Sequence, residues 1–120
     1  MKRWGVAAIA LSAFLLALDG VRADELDHVR QMLDVIDAYV EARSLEQVCP
    51  DWRLDHAKAR AALGEFELSE RNFRAPGFLY NKTVAASERA RELGRAAACS
   101  AAAYRFGPGG AIESGWMTLR

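Results

Sequence analysis

Apolar residues recur with helical spacing along the chain after residue 24. Between Asp24 and about Val48 they are three or four residues apart, at Leu26, Val29, Leu33, Ile36 and Val40, and Met32 and Tyr39 widen the same stripe. This period predicts a helix with one buried face. Acidic side chains crowd its first turn, where they favour the positive end of the helix dipole.

Pro50 and Gly64 bracket a second segment of helical spacing. Proline is favoured at the first position of a helix and glycine just after the last, so we expect a helix from Pro50 or Asp51 to Leu63. The stretch 65–73 is ambiguous between strand and helix, and we favour a short helix. Pro76 and its neighbours, residues 74–77, predict a turn.

A third, alanine-rich helix is predicted from Leu79 or Asn81 to Tyr104. One face carries Ala86, Ala90, Leu93, Ala97, Ala101 and Tyr104, and such small side chains let a neighbouring helix approach closely. The helical spacing ends at Phe106, and residues 107–110 (Gly-Pro-Gly-Gly) break it. The sequence therefore predicts an all-α domain, a small bundle of three to four helices with a short glycine-rich C-terminal tail.

The first 23 residues have the three parts of a secretory signal peptide. Lys2 and Arg3 give a positive start, residues 6–18 form an apolar run of 13, and Val21 and Ala23 stand at −3 and −1 of a cut after Ala23. As a helix this run would reach about 20 Å, short of the ~30 Å hydrocarbon core of a bilayer. We therefore expect cleavage rather than a membrane anchor, and export to a bacterial periplasm or the medium.

Charge and length narrow the function classes. The 120 residues carry 16 basic and 16 acidic side chains, and cleavage would leave 13 and 15 over 97 residues. This balance argues against a nucleic-acid binder. We divide the chain into an export signal (1–23), a helical domain (24–106) and a C-terminal tail (107–120).

Two cysteines, Cys49 and Cys99, remain after cleavage. An exported chain meets an oxidising compartment, where an even cysteine count indicates a disulfide. The bond would tie the end of the first helix to a point near the end of the third. It requires Cα atoms within about 7 Å, so it tests the predicted topology.

Metal binding is the alternative function that the residues offer. Asp34, Asp37 and Glu41 line the border of the first helix's apolar stripe, and such a row of oxygens could hold a hard divalent cation. His28 lies on the same helix. A solvated helix flank accounts for the same residues.

Motifs of catalysis are missing from the sequence. It has no Gly-x-Ser-x-Gly elbow, no phosphate-binding glycine loop and no Cys-x-x-Cys pair. We expect neither an enzyme nor a cofactor.

The C-terminal tail is the segment that most suggests a partner. Phe106, Ile112, Trp116 and Met117 are of the types enriched at protein interfaces, although they could equally fold back over the end of the bundle. We expect a non-catalytic interaction protein of the bacterial cell envelope, an adaptor, inhibitor or chaperone-like protein.

Overall fold

The computed structural model describes the backbone of residues 2–120 and the side chains of residues 23–120. Side chains of the predicted export signal before Ala23 therefore lie outside the described residues, and cleavage stays a prediction. The chain divides into two compact units, Met1–Met32 and Leu33–Arg120. Among the described residues, no helix combines the length and the hydrophobicity that a membrane span requires.

The fold is mostly helical, as predicted, with a small two-stranded sheet. The elements in chain order are helix α1 (Lys2–Val48), strand β1 (Trp52–Leu54), helix α2 (His56–Gly64), a 3-10 helix (Glu70–Phe73), helix α3 (Phe78–Leu93), helix α4 (Arg95–Ala101), a π-helical turn (Ala102–Phe106) and strand β2 (Met117–Leu119). A cis peptide bond joins Ala75 to Pro76 in the predicted turn.

The predicted stripe of the first helix is buried from Ile36 onward. Ile36 and Val40 lie in the core, and Tyr39 packs on Phe73 of the 3-10 helix with ring centroids 4.6 Å apart. Burial raises the pKa of Tyr39 above its usual 10.0, and the nearby Glu70 carboxylate raises it further. The aromatic contact fixes the 3-10 helix against α1.

The second helix begins later than the sequence predicts. Residues 52–54 form a strand, which pairs antiparallel with β2 in a register that sets Leu54 opposite Met117. Asp55 then caps α2, because its carboxylate accepts from the backbone N–H groups of Ala57 and Lys58. The C-terminal tail thus supplies hydrogen-bond partners that a local pattern does not reveal.

The third predicted helix is broken at Gly94. This glycine has φ +81°, a left-handed conformation that ends α3 and starts α4 on a new phase. The buried residues after it are Ala98, Ala102 and Phe106, whereas Ala97 and Tyr104 of the predicted stripe are exposed. The prediction of a single long helix was wrong, because the positive φ of Gly94 ends α3 and changes which face of the following helix is buried.

The disulfide between Cys49 and Cys99 is confirmed. It joins the residue after α1 to the middle of α4 across a Cα–Cα distance of 5.1 Å. Cys49 is fully buried. The bond closes 50 residues of chain and holds α4 against the end of α1.

Candidate interaction groove

A groove of about 760 Å³ lies between α1 and α3 within the unit Leu33–Arg120. Its apolar lining comprises Val40, Leu45, Ala86, Ala90 and Leu93, and its charged lining comprises Asp37, Glu41, Lys82, Arg89, Glu92 and Arg105. The volume falls within the roughly 300–1,000 Å³ typical of binding clefts. Val40, Leu45, Ala86 and Ala90 are only 2–4% exposed, so Leu93, at 52%, is the apolar side chain that the groove presents beside its charged rim.

Small side chains on α3 create the space. Ala86 and Ala90 stand one helical turn apart and are both buried, opposite Val40 and Leu45 of α1. Leu93 continues the same face of α3 but is 52% exposed. A large aliphatic side chain is therefore left in contact with water at one end of an otherwise buried apolar face.

Two ion pairs link α1 to other elements at the rim. Lys82 Nζ lies 2.5 Å from Asp37 Oδ1, which joins α3 to α1. Arg105 Nη2 donates to Glu41 Oε2 at 2.9 Å, whereas Arg105 Nε lies 2.5 Å from Glu41 Oε1 without forming a hydrogen bond. The second pair is partly buried and is held by one charge-assisted hydrogen bond.

Two further charges at the rim have no such partner. Among the described residues, neither Arg89 nor Glu92 takes part in an ion pair or side-chain hydrogen bond. Both are exposed and stand three residues apart on α3. They offer one positive and one negative charge, in that order along the chain, to whatever enters the groove.

The acidic row proposed for a metal is not assembled into a metal site. Asp37 and Glu41 each face a cation of another element, and a metal ion would have to displace it. Within residues 23–120, potential ligand atoms come close together at Cys49, Asp51 and Cys99. That group contains none of the four residues predicted for a metal, which are His28, Asp34, Asp37 and Glu41. Its two sulfurs are bonded to each other, so neither is a thiolate ligand.

His56 also bridges acidic groups, and it lines a smaller groove of about 350 Å³ together with Arg53, Leu54, Asp55 and Thr118. Its Nδ1 lies 2.9 Å from Glu70 Oε1, and its Nε2 lies 3.8 Å from Glu46 Oε1. Glu46 Oε2 in turn accepts from the backbone N–H of Leu54 at 2.6 Å. These contacts tie α1, β1, α2 and the 3-10 helix together, which is a structural role.

Three of the four tail residues expected to meet a partner lie in the core. Phe106, Trp116 and Met117 are buried, and only Ile112 is exposed, at 45%. They fold back because β2 pairs with β1 and draws the preceding tryptophan inward. In this structure those three side chains contact the rest of the chain and are not available to a partner.

Of the residues that line the groove, the sequence singled out only Asp37 and Glu41 as a candidate site, and it did so for a metal ion. Lys82, Arg89 and Arg105 are separated by up to 23 positions, and the face on which Arg105 lies depends on the break at Gly94. The signal that was present is the spacing of Ala86, Ala90 and Leu93, which marks an apolar face of small residues. Sequence alone does not show that this face is left partly uncovered.

Comparisons with known proteins identify no relative: no family model, no curated protein and no solved structure matches the chain. The function is therefore argued from the groove and its chemistry.

Proposed function

We propose that this protein is a small exported, non-catalytic interaction protein of the cell envelope, and that its α1–α3 groove receives an amphipathic helix. The observation that carries the proposal is the exposed apolar side chain of Leu93, in a groove bordered by charges of both signs. An amphipathic helix lays its apolar face into such a groove and places polar side chains along the rim. The export-signal pattern and the disulfide support a location outside the cytoplasm.

The dimensions of the groove favour a helix of about three turns. Its α3 wall runs from Lys82 to Leu93, which spans roughly 16 Å at ~1.5 Å per residue. A helix of that length presents apolar anchors at positions i, i+3 or i+4, and i+7. One such anchor would cover Leu93, and the others would lie along the same face of α3 towards Lys82.

Site-specific photocross-linking in the expressing cell tests this proposal. A photoreactive amino acid replaces Leu93 in the groove or, as a matched control, Tyr104, which is 74% exposed and does not line the groove. We expect a discrete adduct from position 93 that is absent from position 104. The purified partner should then bind wild type and the Tyr104→Glu variant but not Leu93→Glu.

Both variants alter exposed side chains, so both should fold. Equal melting temperatures would establish this before binding is compared. Identical adducts from both positions, or none from position 93, would count against the groove as the site.

A further inference from the structure

An apolar face is exposed near the beginning of the described side chains. Leu26 is 63% exposed, Val29 43% and Leu33 37%, at spacings of three and four residues in α1. These positions supply the i, i+3 and i+7 anchors that a helix needs to dock in a groove. A single exposed apolar side chain needs no explanation, but three apolar side chains at this spacing form a stripe on one face of the helix.

The part of α1 that carries this stripe is strongly acidic. Residues 24–35, here called the acidic segment, contain Asp24, Glu25, Asp27 and Asp34 against a single Arg30, a net charge of −3. Residues 36–120 contain 12 basic and 11 acidic side chains, a net charge of +1. The two parts of the chain are therefore opposite in sign, which favours contact between copies at low salt.

The charges beside the stripe also match those at the groove. Asp27 and Arg30 each follow a stripe residue directly and are three positions apart, negative then positive; in the single chain they form an exposed ion pair with each other at 3.9 Å, which the contact would exchange for pairs with the groove. Arg89 and Glu92 border the apolar face of α3 at the same spacing, positive then negative. A helix that lies parallel to α3 brings each charge opposite one of the other sign.

We infer that the acidic segment of one copy occupies the α1–α3 groove of a second copy. This inference rests on the proposed function, because it names the partner of the same groove. Leu26, Val29 and Leu33 pack along the α3 face on which Leu93 is exposed, while Asp27 faces Arg89 and Arg30 faces Glu92. The contact joins two different surfaces, so it forms either a reciprocal pair or a head-to-tail assembly.

Sedimentation velocity and native mass spectrometry of the protein purified from the expressing cell test the inference. We expect association that strengthens with protein concentration and weakens with salt. Leu26→Glu in the segment and Leu93→Glu in the groove should each raise the dissociation constant about tenfold or more, because each places an unpaired charge in the contact. Tyr104→Glu, at a still more exposed position that does not line the groove, should leave it unchanged.

Mixing the two weakened variants gives the decisive result. The Leu93→Glu copy keeps its segment and the Leu26→Glu copy keeps its groove, so together they should form a heteromer that neither forms alone. A contact of segment with segment, or of groove with groove, gives no such recovery and overturns the inference.

A further outcome separates this inference from the function on which it rests. If the wild type stays monomeric at every concentration while position 93 still cross-links to another protein, self-association is wrong and the groove function stands. If position 93 contacts neither a second copy nor another protein, both fail.

Discussion

Trp116 stacks against Phe106 with ring centroids 6.4 Å apart and planes inclined by 23°. Phe106 ends the π-helical turn and Trp116 precedes β2, so the contact fastens the C-terminal tail to the helical part of the fold. The carbonyl of Trp116 also accepts from the backbone N–H of Asp55 at 2.7 Å. One residue therefore joins the tail to both the π-helical turn and the start of α2.

We expect Trp116→Ala to lower the free energy of unfolding by about 3–5 kcal/mol, because it removes a large buried ring and leaves a cavity. Chemical denaturation followed by far-ultraviolet circular dichroism measures the change. Ile112→Ala is the control: its side chain is half-exposed, and its loss should cost less than about 1 kcal/mol. Equal losses in the two variants would contradict the buried position of Trp116.

Removal of the disulfide tests how far it supports the fold. Replacing both Cys49 and Cys99 by alanine should lower the free energy of unfolding by about 2–4 kcal/mol, since the unfolded chain regains the freedom of a 50-residue loop. Adding reductant to the wild type should lower its melting temperature similarly. The double variant should not respond to reductant, and a response would show that the shift does not come from this bond.

Gly107 lies where a side chain cannot fit. A Cβ there would approach the carbonyl oxygen of Ala103 to 2.5 Å. The Gly107 carbonyl accepts from the N–H groups of Gly110 and Gly115, so the backbone cannot shift without loss of these bonds. We expect Gly107→Ala to destabilise the protein by about 1–3 kcal/mol, measured by urea denaturation.

Gly64 provides the matched control for that substitution. It ends α2 with open space around the Cβ position, so Gly64→Ala should leave stability equal or raise it by up to about 1 kcal/mol. A loss as large as that of Gly107→Ala would show that glycine replacement in general, rather than the close approach, is responsible.

Glu113 should make stability fall as pH rises above the ordinary glutamate range. Burial raises the pKa of Glu113 above its usual 4.5, and the neighbouring Glu65 carboxylate raises it further. The folded protein therefore holds this proton to higher pH than the unfolded chain does. Between the two pKa values, raising the pH favours unfolding.

Glu113→Gln should remove this contribution. Urea midpoints measured from below pH 4.5 to neutral pH should fall less steeply in the variant than in the wild type. Parallel profiles would contradict the raised pKa. Glu88→Gln, at an exposed site on α3, serves as the control and should keep the wild-type profile.

Local patterns predicted the helical class and the disulfide because both depend on features of one segment or one residue pair. The stripe through Ile36 and Val40 follows from helical period alone, and two cysteines allow one pairing. The strand β1 could not be found in this way. It is three residues long, and its partner residue for Leu54 is Met117, 63 positions further along the chain.

The candidate groove needed information of the same long-range kind. Asp37 and Glu41 resemble a solvated row of acids until their partners Lys82 and Arg105 are known, which lie 45 and 64 positions away. The helix break at Gly94 could not be predicted either, since an isolated glycine is tolerated within a helix. Its positive φ, which sets the face that α4 buries, is visible only in the folded chain.

The disulfide also shortens the route by which the tail finds its strand. Along the backbone, Leu54 and Met117 are 63 positions apart; through the sulfur bridge, the path covers five residues to Cys49 and 18 from Cys99. Each halving of a loop saves roughly 0.6 kcal/mol of closure entropy. Once the disulfide has formed, pairing of β1 with β2 closes a shorter loop, so oxidation should lower the entropic cost of bringing the tail to its strand.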